Sequence, residues 1–395
     1  MRNRSQLGVL MTTRMVQSTG LRMIYPFLAV FARSLGVGVP ALALLLSVRS
    51  GLGILSPLLG AASDRLPRRF ALIVGLVVFS LANLAVGFFP TYGVLFAGLC
   101  LSYLAMIFFY STAQAYLGDV IAFARRGQAL ALQELGWGLS LVIGVPLVGL
   151  LITRFGLRGP FFALALAGLI LTIVLFRVIP NLPLTTASRV RSGFGNLRQA
   201  FAAPSARAIL AMMVCFGAIN EWLMIVFGLW MESSFALQVA ALGASAAVIG
   251  AAEIGGEMAG GAGLVDRLGK KRAIRLGLGL NIAALLVMPW VGGVLWGALA
   301  ALFFYYMGFE FAFVSTLPLA SEVTPSARAT LMGALVAAVS IGRVVSASLS
   351  PLIFTTWGFE ANTYGALLLT VTALLFLRFV KVEEKGSVPA KSSAK

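Results

Sequence analysis

Long apolar runs, each closed by a short polar break, fill this chain from one end to the other. Twelve of them, at 8–32, 41–62, 71–89, 93–116, 128–153, 160–179, 208–232, 238–262, 273–290, 293–317, 330–355 and 361–380, reach 18 residues or more. A helix of that length spans a hydrocarbon core about 30 Å thick. The pattern predicts an all-α membrane protein of twelve transmembrane helices. The polar breaks repeat at a fixed offset of 202 residues. Asp64-Arg65 returns as Asp266-Arg267, Arg126 as Arg328, Gly156 as Gly358, and Arg158 falls on Glu360. One offset shared by four matching residues in three breaks (Asp64, Arg65, Arg126 and Gly156) marks a duplicated bundle, two pseudo-symmetric sets of six helices. The division expected is a first bundle over 1–180, a linker over 181–207, a second bundle over 208–381 and a polar tail over 382–395.

Composition sharpens this reading. With 60% hydrophobic and 11% charged residues in 395, the chain falls outside the range of soluble globular proteins. The first run carries Arg14 and Arg22 and has no small-residue cleavage site, so it reads as a retained helix rather than a signal peptide. The net charge of +17 is distributed by topology. With the N-terminus in the cytoplasm, 23 of the 30 Lys and Arg fall on the cytoplasmic side and only Arg33, Arg154 and Arg158 fall outside. That asymmetry places both termini in the cytoplasm and gives no nucleic-acid footprint. The bilayer is the expected partner, with the plasma membrane (the inner membrane in a bacterium) as the location. The linker holds Arg189, Arg191, Arg198 and Arg207; it reads as a solvated basic segment or, from Phe194 to Ala202, as an amphipathic helix on the anionic leaflet. Histidine is absent and the two cysteines, Cys100 and Cys215, sit in separate apolar runs, which excludes a disulfide framework and leaves no metal site.

The polar breaks carry detail enough to name a family. Gly60-Ala-Ala-Ser-Asp64-Arg65-Leu-Pro-Arg68-Arg69, between helices two and three, resembles the loop signature G-x-L-x-D-R-x-G-R-[KR] of the major facilitator superfamily, with Pro67 replacing the second glycine. The copy Gly263-Leu-Val-Asp266-Arg267-Leu-Gly269-Lys270-Lys271 keeps that glycine but has Ala262 at the first position. Asp119 with Arg126 after helix four, and Arg158 after helix five, are similar to the family's connecting motifs. Gly144-Val145-Pro146-Leu147-Val148-Gly149 in helix five resembles the G-P-x-x-G-G element of the superfamily's antiporters, although Val145 separates the first pair and one terminal glycine is missing. The resemblance implies a two-bundle carrier working by alternating access. It implies a cytoplasmic gate made of Gly60, Asp64, Arg65, Arg68, Arg69, Asp119, Arg126, Asp266, Arg267 and Arg328, with Asp64 facing the N-terminus of helix eleven, where the helix dipole favours a carboxylate by roughly 0.3–1 kcal/mol. Proline removes a helix hydrogen bond and glycine admits a close neighbour, so Gly144, Pro146 and Gly149 predict a kink. Such a kink is either packing alone or part of the seam between the bundles. Glycines also crowd helices five and eight, and small residues enrich helices two and eleven, which predicts close helix approach along that seam.

Charges inside the apolar runs are few. Glu134, Glu221, Glu253, Glu257 and Glu310 are joined by Arg22, Arg49 and Arg343. A charge facing lipid at mid-membrane costs at least about 2.5–3.5 kcal/mol, so these eight predict a polar path or a set of structural ion pairs. A carboxyl shielded from water is suited to take up and release a proton. Glu134, the one such acid of the first bundle, is the first candidate for proton coupling, followed by Glu310 and Glu221. The expected substrate cavity draws on Arg22, Tyr25, Arg49, Tyr110, Gln114, Glu253, Glu257, Tyr306 and Arg343, with Pro26 loosening helix one beside Tyr25. Many cation exporters of the superfamily carry an acid in helix one; this chain carries Arg22, which admits anionic or zwitterionic amphiphiles. The aromatic clusters at 108–110 and 303–306 read either as a cavity wall or as ordinary packing.

The function expected is secondary active transport: proton-coupled efflux of a small amphipathic drug or metabolite, by a monomer with no cofactor beyond the proton gradient. A nutrient symporter or lipid flippase of the same fold is the alternative. A multispan enzyme or sensor is remote, since neither a nucleophile–base pair nor an appended soluble domain is present in the sequence.

Overall fold

The computed structural model describes residues 2–181, 203–323 and 328–380, so most of the linker, including the stretch from Phe194 to Ala202, and the tail lie outside the described residues. Every regular element within the described residues is helical. Among the described residues ten helices are long and apolar enough to cross a membrane. Helices two to six are Val39–Ser63, Arg68–Phe88, Tyr92–Val120, Arg125–Phe155 and Arg158–Val178; helices seven to ten are Pro204–Phe235, Val239–Ala259, Lys270–Val291 and Leu295–Val323. The last, Leu331–Phe379, has 49 residues. At 1.5 Å per residue that is about 74 Å, twice what one crossing needs. It turns at Gly358, whose φ of 83° and ψ of −175° interrupt the helix, and so holds crossings eleven and twelve.

The first crossing is where structure and periodicity part. A single helix is expected over 8–32, but the chain forms Arg2–Arg22 and Leu28–Leu35 with a non-helical stretch between. Pro26 explains the break, since it has no N–H to donate to the preceding turn. The local bonds contract instead, with Tyr25 N–H donating to Arg22 O at 3.2 Å. Counting this broken helix, the described residues accommodate twelve crossings.

The 202-residue repeat has a backbone counterpart. Gly156, at φ 65° and ψ −167°, matches Gly358 closely, and only glycine adopts that conformation cheaply. The symmetry fails in one informative place. Pro26 corresponds to Gly228, and helix seven runs unbroken through it. The two positions meet: a Cβ on Gly228 would stand 2.2 Å from Pro26 O and 2.5 Å from Tyr25 O. One bundle breaks where the other is smooth, and the smooth helix packs on the exposed carbonyls of the break.

Helix five carries the expected irregularity, which takes the form of a wide π-helical turn at Ser140–Gly144 just before Pro146. Such a turn shifts the carbonyl ladder so that the missing proline N–H leaves no gap. Gly144 lets helix one in, since a Cβ there would lie 1.9 Å from Thr19 Oγ1. Gly149 faces helix eight, where a Cβ would lie 3.1 Å from Val239 O. The element therefore sits between its own bundle and the opposite one.

Contacts between the bundles are concentrated in the middle and on the side away from the Asp64 loop. Gly243 lies against Val145 O and Pro146 Cα, Gly250 against Gly138 O, and Gly51 against Val344. Ser47 and Ser348 share a 3.1 Å hydrogen bond, and Arg33 pairs with Glu232 at 2.6 Å. Towards the Asp64 loop the approach slackens: Gly60 meets only Ser111 of its own bundle, at 3.8 Å. Across the bundles at that end Gly333 reaches Pro57 Cγ only at 3.9 Å, so the seam is tightest on the far side and loosest near the Asp64 loop.

Candidate functional site

The charged residues of the apolar runs do not face outward; they gather between the bundles. Arg22 ends the first piece of helix one, and Glu253 lies in helix eight. Arg22 donates from both terminal nitrogens to both carboxylate oxygens of Glu253, at 2.6 and 2.8 Å. A third bond, 3.1 Å, reaches Trp137 O, and the Trp137 ring lies 4.2 Å from the guanidinium. Both partners are 2–3% exposed, which makes this a desolvated fork-to-fork pair joining one bundle to the other.

Nearer the helix-one break lies a second cluster. Tyr25 OH donates to Glu221 at 2.7 Å, and Arg49 donates to the Tyr25 oxygen and, at 2.9 Å, to Leu21 O. Arg49 and Glu221 themselves stand 3.9 Å apart. Arg343 of helix eleven donates to Asn220 Oδ1 at 3.2 Å, a neutral partner. These residues, with Leu21, Arg22, Tyr103, Met106, Trp137 and Met224, line a cavity of about 20 Å³. A water needs roughly 10–15 Å³, so the cavity has room for one or two.

A third cluster lies around Arg14 of helix one. Its guanidinium pairs with Glu134 at 3.3 Å and rests 4.4 Å from the Tyr110 ring. Glu310 is 9% exposed and lies in the field of Glu253, Glu257 and Glu134 as well as Arg22. Its closeness to helix eight is set by Gly256, where a Cβ would stand 2.8 Å from Glu310 Cβ. Four carboxylates, of Glu134, Glu253, Glu257 and Glu310, thus share two guanidiniums, those of Arg14 and Arg22. Tyr306 lies buried between the clusters, its hydroxyl with no hydrogen-bond partner among the described residues.

The cavity of the second cluster brings together Arg22, Tyr25, Arg49, Glu221 and Arg343 from the residues expected on sequence grounds. It leaves out Tyr110, Glu253, Glu257 and Tyr306, and Gln114, which is exposed on helix four. The residues that sequence reasoning missed are Leu21, Tyr103, Met106, Trp137, Asn220 and Met224, together with Arg14 as the partner of Glu134. Asn220 carried a signal, a polar amide next to Glu221 in an apolar run; the apolar ones carried none. The aromatic clusters are mostly packing: Tyr305 OH donates to Ile219 O at 2.7 Å and Phe109 is buried, while Phe304 is exposed.

At the loop motif Arg68 does the bridging. It donates to Asp64 at 2.7 Å and to Asp119 at 3.1 Å, tying helices two, three and four together. Arg69 turns to Phe176 O instead, and Arg65 is exposed. Arg126 bonds Ile121 O at 3.2 Å. Lys270, the residue 202 positions after Arg68, pairs with Glu322, so the second bundle repeats the brace. Asp266 and Arg267 are exposed beside it. Asp64 is thus held by its own bundle in this arrangement; the chain before helix eleven at 324–327, and the Arg328 side chain, lie outside the described residues.

Comparison with known proteins agrees with this architecture. The model of the Major Facilitator Superfamily matches residues 10–334. The "Uncharacterized MFS-type transporter YceJ" of Bacillus subtilis (strain 168) is 24% identical over 343 residues, covering 85% of this chain and 86% of that one. "Tetracycline resistance protein, class H" of Pasteurella multocida is 24% identical over 329 residues, covering 82% and 80%. Among solved structures, a bacterial homologue of the human lysosomal transporter Spinster, in an inward-facing and unoccupied conformation, superposes with a TM-score of 0.74 at 13% identity, covering 96% of this chain and 94% of that one. Two six-helix bundles, a charged site between them and paired loop braces are thus accounted for together: the chain belongs to the major facilitator superfamily and is a membrane transporter rather than an enzyme.

Proposed function

We propose that this transporter is a proton-coupled exporter of a small amphipathic drug or metabolite, working as a monomer in the plasma membrane with both termini in the cytoplasm. The observation that carries the proposal is the surplus of carboxylates over guanidiniums where helices one, five, eight and ten meet. In a shielded site such a surplus is relieved by binding protons, and movement of the bundles changes which carboxylate an arginine reaches. The antiporter-like element of helix five, packed against both bundles, supports export, as do the resistance proteins among the relatives. On this reading the looser side of the seam is the cytoplasmic one.

Glu134 is the coupling residue the proposal names first, because its Arg14 pair is more exposed than the Arg22 pair and can open without dismantling the contact between bundles. Glu134→Gln is expected to retain substrate exchange at equal pH but to lose accumulation driven by a pH gradient in proteoliposomes. Full gradient-driven transport by this variant would move the coupling site to Glu310 or Glu221, whose Gln variants are made alongside.

The loop brace is proposed as a gate. When the bundles tighten at that end, Asp64 is expected to leave its arginine partner for the start of helix eleven. Asp64→Asn should lower transport sharply with normal amounts of folded protein in the membrane, and Asp266→Asn should matter less. Equal transport by wild type and Asp64→Asn removes the gating role.

A further inference from the structure

The cavity beside the helix-one break holds one carboxylate, that of Glu221, and, besides the engaged Arg22, two guanidiniums that no other acid serves among the described residues. Arg22 is consumed by Glu253, to which it gives both terminal nitrogens. Glu221 is the acid that remains, and the Tyr25 hydroxyl holds it 3.9 Å from Arg49. Among the described residues Arg343 has only the Asn220 amide oxygen as a hydrogen-bond acceptor. The Nε of Arg49 and the Nε of Arg343 are buried with no hydrogen-bond partner among the described residues. One carboxylate thus answers two shielded guanidiniums; a shielded cation short of a counter-ion is expensive, and a protein that keeps one in a cavity between moving parts has a use for it.

We propose that Arg49 and Arg343 form the binding site for the acidic group of an amphipathic organic anion, whose apolar body lies along Leu21, Met106, Trp137 and Met224. The site rests on the transport reading above and names the substrate class within it. Arg49 comes from helix two and Arg343 from helix eleven, so one carboxylate or sulfonate held by both spans the two bundles. Arginine suits this task because its planar fork meets two oxygens at once and stays charged in a shielded site. Glu221 is then a resident competitor: it occupies the field of Arg49 when the site is empty and must yield when the substrate anion enters. The cavity as it stands is small, and the parting of the bundles around it is what admits the apolar body.

The test is binding without any gradient, read from the fluorescence of Trp137 (the other tryptophans replaced by Phe) in purified protein in nanodiscs. The probes are three matched sets, each an anion, an alcohol and an ammonium on one apolar body: phenylbutyl, naphthylmethyl and dodecyl. In at least one set the anion should bind about tenfold or more tightly than its partners, the worth of a charge-assisted hydrogen bond. Arg343→Gln should erase that preference, and Arg343→Lys should restore part of it. Glu221→Gln should move the other way, tightening the anion several-fold by removing its competitor. That gain cannot come from damaged folding. The proposal is overturned if no set prefers the anion, if the preference survives both Arg49→Gln and Arg343→Gln, or if Glu221→Gln weakens the anion. Because no proton gradient enters, a failure of proton-coupled export leaves this result standing, and anion binding without gradient-driven transport would count against the coupling alone.

Discussion

Glu253→Ala is expected to abolish transport and to destabilise the purified protein by about 3–5 kcal/mol, the cost of leaving one member of a buried ion pair without the other. Arg22 would keep only the Trp137 carbonyl and the face of its ring, with no anion within reach of both terminal nitrogens. Arg22→Ala should be as damaging, because it strands Glu253 among Glu257 and Glu310. The informative variant is the double one. Replacing the pair by Arg22→Met with Glu253→Leu removes both charges and keeps the volume, which in buried pairs restores most or all of the lost stability. Transport should stay absent, since the pair links the bundles and sets the charge balance of both neighbouring clusters. Thermal or denaturant unfolding and substrate exchange in proteoliposomes measure the two effects separately. A stable double variant that transports normally would make the pair a structural tie and nothing more.

That pair also marks the limit of what the sequence discloses. Its spacing, the polar breaks and the 202-residue repeat were enough to give twelve crossings and two bundles, because a bilayer leaves the backbone almost no choice but continuous helix. The list of charged residues in apolar runs was legible for the same reason: each is costly in lipid and therefore stands out. Partnership was not legible. Arg22 and Glu253 lie 231 positions apart, and nothing local distinguishes Glu253 from Glu257 one turn on; the close approach depends on glycines in helices five and eight whose facing cannot be read from one chain. Tyr25 was placed by the neighbouring Pro26, whose lost N–H is a local fact, whereas Tyr103 and Met224 are apolar-run residues like many others and became cavity wall only through packing. The break itself ran ahead of the periodicity, which continues smoothly through Pro26 and so predicted one helix where there are two.

Gly243→Leu is expected to drive the molecule towards the arrangement open on the side away from the Asp64 loop. A Cβ at Gly243 would stand 3.1 Å from Val145 O, 3.2 Å from Phe27 Cζ and 3.3 Å from Pro146 Cα. Two of those three atoms are backbone, which cannot turn aside, so a leucine must push helices five and eight apart. Overpacking a tight contact costs about 1–3 kcal/mol. The penalty falls on the tighter side of the seam only, and it is relieved when the bundles part there; a shift of that size changes the ratio of the two arrangements by roughly 5–150-fold. Ser47, 6% exposed and bonded to Ser348 across the same interface, reports the opening. In a background without Cys100 and Cys215, Ser47→Cys should react slowly with a polar thiol reagent, and addition of Gly243→Leu should accelerate it at least about tenfold. Gly255→Leu is the control, because its neighbourhood holds only Met307 of its own bundle, at 3.8 Å. Unchanged reactivity in Gly243→Leu, with the protein folded, would mean that the glycine contacts of helices five and eight follow the closure rather than hold it. Faster labelling together with lost transport would identify them as the surface on which the bundles must seat and unseat in each cycle.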